Sequence, residues 1–161
     1  MEVIQKARAL YEKGEMHDAL EAAQVACERK PKDAEAWWLL GCVSRYTGMP
    51  AASDDAFRRA AGLSKKRPAP VRVEPRRLQA LVDGAVGKLS RDAARRLAAT
   101  RVRVEPLPSL EAVRAGTSPD APSQRQRRPE DVLTLFQVNL ENRAGSEVEL
   151  AKLVARVLAR A

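Results

Sequence analysis

Histidine occurs once in this chain, at His17, and cysteine twice, at Cys27 and Cys42. A metal site needs several such ligands at close spacing. The two cysteines form no C-x-x-C pair and have no histidine beside them, so both read as buried free thiols suited to a reducing cytoplasm. No glycine-rich phosphate loop, no G-x-S-x-G and no serine–histidine pair is present, so no catalytic residue, metal ligand or cofactor is expected. No apolar stretch approaches the roughly 20 residues that cross a bilayer. The first fifteen residues are amphipathic, carry acidic groups and lack the apolar core of a signal peptide. The expectation is a cytoplasmic protein without a membrane span. Aromatic residues make up only 4% of the chain, while alanine and leucine are abundant. Such small and unbranched side chains favour helix over sheet.

Positive charge is abundant, and it is concentrated in the middle of the chain. The net charge is +8 over 161 residues. Residues 1–66 hold 11 Lys/Arg against 10 Asp/Glu, residues 67–129 hold 14 against 6, and residues 130–161 hold 4 against 5. Most of the central excess is arginine, which bonds carboxylate or phosphate through two parallel hydrogen bonds. Within it, Arg125, Arg127 and Arg128 are candidates for contact with an acidic partner or a nucleic acid. The scarcity of interleaved aromatics argues against nucleic acid, because bases have little to stack on.

Gly14 and Gly48 lie 34 residues apart, and Ala7 with Gly41 and Ala26 with Ala60 repeat the same interval. Apolar residues at helical spacing predict helices over 2–13, 16–29, 34–47 and 50–63. Gly14 and Gly48 stand where a helix end tolerates positive φ, and Pro31 stops the second helix. Asp54 and Asp55 are assigned to the start of the fourth helix, where they suit its dipole. Residues 67–75 read as a basic, proline-containing linker. Beyond it the pattern predicts a helix over 76–89 and another from the N-cap Ser90 to 99. Strands are predicted over 101–105 and 133–137, with a short helix over 110–115 between them. Residues 116–129 read as flexible loop by composition. Ser146 and Glu149 form a capping-box pair opening the last helix, whose stripe is Leu150, Leu153, Val154, Val157 and Leu158.

Trp37, Leu40, Gly41, Gly48, Phe57 and Ala60 fall on the consensus of the tetratricopeptide repeat, which residues 1–66 resemble. The first copy keeps Ala7, Gly14, Ala19, Ala26 and Pro31 but has Val3 in place of tryptophan; the second has Ser53 in place of alanine. In that family the first helix of each unit lines a groove that holds another protein. The resemblance therefore implies Arg8, Tyr11, Trp38, Cys42 and Arg45 as partner-binding residues. Two repeats need a cap, and the helix from 76 is the candidate.

A second resemblance covers residues 74–161. Val102-Arg103-Val104-Glu105-Pro106, then Leu133-Thr134-Leu135-Phe136-Gln137, then Asn139-Leu140-Glu141-Asn142 and a helix are similar to the small bacterial zincin-like putative metallopeptidases. The glycine-containing strand of that pattern is missing between the two strands, and so is H-E-x-x-H. The implied fold is mainly α: two tetratricopeptide-like helix–turn–helix repeats, then a small α+β module over 76–161 with a two- or three-stranded sheet and no metal. The implied function is a non-enzymatic adaptor or assembly subunit that binds a peptide or helix of another protein, for which the basic middle of the chain suggests an acidic surface. The alternatives are a weak nucleic-acid-binding accessory protein and an inactive metallopeptidase-like subunit of a larger complex. The apolar stripe of the last helix is a further candidate contact, in a homo-oligomer or a fixed complex.

Overall fold

The computed structural model describes residues 2–161. Among the described residues the order is α1 (Val3–Glu12), α2 (Met16–Arg29), α3 (Ala34–Tyr46), α4 (Pro50–Leu63), α5 (Pro75–Val86), α6 (Arg91–Leu97), β1 (Arg101–Glu105), α7 (Leu110–Arg114), β2 (Ser123–Gln126), β3 (Val132–Phe136), α8 (Gln137–Glu141) and α9 (Glu147–Arg160). The chain is mainly helical with one small sheet. It divides into two compact units. The first runs to Pro70 and takes in Pro108–Asp120; the second comprises Val71–Leu107 and Ala121–Ala161.

In the first unit α1 to α4 form two consecutive helical hairpins. Both open with the same turn. Gly14 has φ 82° and Gly48 has φ 75°. In each turn the next amide reaches back five residues, Glu15 to the Leu10 carbonyl at 2.9 Å and Met49 to the Ser44 carbonyl at 3.0 Å. Satisfying those last helical carbonyls requires a left-handed residue, and glycine takes that conformation without a Cβ penalty. Ala7, Ala19 and Ala23 have no exposed surface and let helices approach closely, while Phe57, Leu39 and Val43 fill the remaining space. The hydroxyl of Ser53, fully buried on α4, donates to the Gly41 carbonyl on α3 at 2.6 Å, so a polar atom in the core is satisfied.

Asp54 and Asp55 lie beyond the first turn of α4, which begins at Pro50. They serve as ion-pair partners rather than dipole caps: Asp54 stands 3.8 Å from Arg45, and Asp55 pairs with Arg58. His17 is exposed in the first turn of α2.

In the second unit the sheet order is β1-β3-β2, with β1 parallel and β2 antiparallel to β3. Leu133 and Leu135 of β3 meet Leu78 and Val82 of α5 and Leu150, Val154 and Leu158 of α9 in one core. The apolar stripe of α9 is spent there: Leu150, Val154 and Leu158 have no exposed surface. Leu153 and Val157, the other two residues of the stripe, pack against the same core and stay partly exposed. Ser146 caps α9 by accepting from the Glu149 amide at 3.2 Å, and the Glu149 carboxylate accepts in return from the Gly145 amide at 2.9 Å.

Three other expectations are revised. Residues 116–129 are not one flexible loop, because β2 lies within them and pairs with β3 from Ser123↔Leu135 to Gln126↔Val132. A strand therefore does stand between the two predicted ones, and it contains no glycine. Residues 67–75 are not a free linker. Arg67 is bonded within the first unit, while the Val71 and Val73 amides donate to the Ala144 carbonyl and the Glu141 carboxylate within the second. Finally, the module expected over 76–161 is interrupted, since Pro108–Asp120 belongs with the helical hairpins.

Candidate functional site

Two of the residues expected to line a groove on the hairpins, Tyr11 and Cys42, lie against one segment of the chain itself. Val113 of α7 is 2% exposed and sits in a core with Tyr11, Leu39, Cys42 and Val43. Ser109 caps α7 by accepting from the Ala112 amide at 3.0 Å, which holds this one-turn helix in shape. Further along, the Tyr11 hydroxyl donates to the Asp120 carboxylate at 2.6 Å, and the Tyr46 hydroxyl donates to the Pro119 carbonyl at 2.9 Å. The two phenol rings meet edge to face, 5.9 Å between centroids. The Arg114 guanidinium reaches the Gly14 carbonyl at 3.4 Å. One valine, one carboxylate and one main-chain carbonyl of Pro108–Asp120 are thus gripped by α1 and α3.

Electrostatics here follow from burial. Tyr11 is 1% exposed, and burial together with the nearby Asp120 charge raises its pKa far above the ordinary phenol range. Burial and Asp120 raise Tyr46 in the same direction. Cys42 is buried too, and its thiol is pushed well up by loss of solvent and by Asp120. A thiol held protonated at neutral pH is a poor nucleophile. Cys27 is also buried and free, its pKa pushed up to about 11 by burial first and Asp33 second. None of these phenols or thiols is activated by its surroundings.

Trp38 is half-buried, not an open anchor. Its ring packs on Phe57 at 4.5 Å, and the Arg67 guanidinium lies over it at 4.8 Å. Arg67 also holds Glu35 in a two-pronged pair at 2.9 and 3.0 Å, and Arg8 approaches the same carboxylate at 3.8 Å. Trp37 occupies a comparable setting, donating its indole N–H to the Pro31 carbonyl at 2.8 Å beneath the Arg59 guanidinium. Of the five residues expected to bind a partner, Tyr11 and Cys42 are covered, Arg45 faces Asp54, Trp38 is roofed by Arg67, and Arg8 leans on Glu35. Sequence reasoning missed Val113, Pro119, Asp120, Tyr46 and Arg67. Tyr11 and Asp120 are 109 positions apart, and no local pattern joins them.

Arg125, Arg127 and Arg128 part company. Arg125 of β2 forks onto Asp131 at 3.0 and 2.9 Å and also donates to the Thr100 hydroxyl at 2.9 Å. That pairing raises the Arg125 pKa and lowers that of Asp131. Arg125 is therefore committed within its own unit, and its assignment as a partner contact is corrected. Arg127 and Arg128 are exposed, Arg127 lying 4.0 Å from Asp131. Among the described residues, no group of three or more His, Cys, Asp or Glu side chains is placed to hold a metal ion, and no helix is long and apolar enough to cross a membrane. No family model, curated protein or solved structure matches this chain.

Proposed function

We propose that this protein is a non-enzymatic interaction subunit whose tetratricopeptide-like hairpins hold a short segment of a partner protein in the place that Pro108–Asp120 occupies in this chain. The observation that carries the proposal is the pair of tyrosine contacts. Tyr46 holds a main-chain carbonyl and Tyr11 holds a carboxylate, beside an apolar seat filled by Val113. Main-chain capture plus one apolar anchor is how grooves hold peptides whatever most of their side chains are. The second unit, similar in strand and helix order to zincin-like proteins without H-E-x-x-H, acts as a basic scaffold. Residues 71–107 and 121–161 carry 16 Lys/Arg against 9 Asp/Glu. Such an excess speeds encounter with an acidic partner, and the exposed Arg127 and Arg128 are among its contributors.

The test replaces residues 108–120 of the full chain by a glycine–serine loop of equal length and titrates it with a labelled peptide of residues 108–120. Saturable binding is expected, with none to the unaltered chain and a loss when Tyr11→Phe and Tyr46→Phe are added. A full chain carrying Val113→Asp serves as an independent way to vacate the seat. If either variant keeps its helical circular dichroism and neither takes up the peptide, the groove reading fails.

A further inference from the structure

A groove runs along the outer face of the α1–α2 hairpin, within the first unit, away from the contacts of Pro108–Asp120. Its volume is about 390 Å3. Val3 and Leu10 of α1 and Ala22 and Val25 of α2 form its floor, all only half-buried. A smaller hollow of about 180 Å3, reaching Ile4 and Ala26, extends it past Val3 and Arg29. Its rim carries Glu2 and Lys30, 3.7 Å apart and already paired with each other.

The charges on the main rim are ordered. Because the two helices run antiparallel, the start of α1 lies beside the end of α2. Lys6 and Arg29 therefore stand at one end of the groove, while Asp18 and Glu21 stand at the other. All four are exposed. A strip with an apolar floor, a positive end and a negative end is complementary to itself turned through 180°. A two-fold axis lying across its middle exchanges the ends, setting Arg29 of one copy against Asp18 and Glu21 of the other along the facing α2 helices, with Lys6 flanking them and the floors face to face. A random partner has no reason to match this order, whereas a second copy matches it by symmetry.

We infer that this face is a homodimer interface, in which α1 and α2 of two copies form an antiparallel four-helix contact. The inference is independent of how Pro108–Asp120 is used.

The experiment measures mass in solution by light scattering across a concentration series, using the full chain. A concentration-dependent dimer is expected, weakened by salt because the rim pairs are exposed. Val25→Glu, at a half-exposed position that folding tolerates, should weaken it by at least about tenfold. The decisive arm uses charge reversal. Lys6→Glu with Arg29→Glu makes both ends acidic, and Asp18→Lys with Glu21→Lys makes both ends basic. Each doubly substituted chain alone should be monomeric, and the two mixed should form a heterodimer. A chain that is monomeric throughout the series overturns the inference. So does a dimer that survives Val25→Glu or either charge-reversed pair, since it then uses another surface.

Discussion

A Cβ on Gly41 would stand 2.6 Å from two carbons of the Phe57 ring, and Phe57 has no exposed surface into which to retreat. Gly48 differs: nothing lies within 4 Å of its would-be Cβ, and only its φ of 75° demands glycine. Two glycines of one repeat are thus required for separate reasons, one for space and one for backbone conformation. Asparagine tolerates the left-handed region but adds bulk, so it separates them. Gly48→Asn is expected to cost at most about 1 kcal/mol, and Gly41→Asn at least about 3 kcal/mol, both read from urea denaturation. Equal costs would mean that Phe57 shifts freely. Tyr11 gives a pH prediction at the same scale. Its pKa is raised on folding, so the folded chain keeps a proton that the unfolded chain releases. The stabilisation is fully present below the ordinary phenol pKa of about 10 and is lost as pH rises beyond it. Tyr11→Phe should lower stability by about 1–2 kcal/mol at neutral pH through loss of the Asp120 bond. It should also flatten the alkaline fall between about pH 10 and pH 12. An unchanged alkaline slope would assign that fall to other groups.

At the scale of elements, the strap over residues 71–74 shows what local pattern cannot carry. Glu141 is 2% exposed, and its carboxylate accepts from the Arg72 guanidinium at 3.2 Å, the Val73 amide at 2.9 Å and the Gln137 amide at 3.2 Å. Glu141→Ala leaves those donors without their acceptor and should cost about 3 kcal/mol. Ser146→Ala, at an exposed cap, should cost only about 1 kcal/mol. Thermal unfolding of the two variants checks the order, and the reverse order would deny the strap its role. The helices of the hairpins were legible because a period near 3.6 marks them and Gly14, Pro31 and Gly48 punctuate them. The Ser90 and Ser146 caps were legible for the same local reason. The strand Ser123–Gln126 was not, since SQRQ shows no apolar alternation. It is extended because β3 supplies its hydrogen-bond partners and Asp131 receives Arg125. The five-residue α8 is too short to display a period. The candidate site was half legible: Tyr11 and Cys42 lie on the expected helices, but the segment that meets them comes from beyond position 107.

For the whole molecule, the path of the chain decides how it comes apart. Lys65 and Lys66 are exposed between α4 and the strap. Arg67, the next residue, is held by Glu35 and lies over Trp38. Trypsin at low dose is therefore expected to cut after Lys65 or Lys66 and at the exposed Arg127, Arg128 being protected by the proline that follows it, before it cuts at Arg72 or Arg125, whose guanidinium groups are bonded. A cut after Lys66 removes the covalent tie between the hairpins and the rest of the chain. It leaves Pro108–Asp120 on the C-terminal fragment, yet that segment belongs with the hairpins through Val113, Pro119 and Asp120. Burying one valine contributes about 2 kcal/mol, and the two tyrosine bonds contribute about 1 kcal/mol or more each. That sum corresponds to a dissociation constant on the order of 1 mM, and the contacts of Arg67 with Glu35 and Trp38 tighten it further. Protein nicked after Lys66 alone should therefore run as one species on gel filtration at low salt and a protein concentration on the order of 1 mM. It should separate into two fragments in moderate urea, or when Val113→Asp is present before the cut. Fragments that separate at once in buffer would show that the hairpins hold Pro108–Asp120 only while the chain tethers it. A groove that weak would also release it readily to any competing peptide.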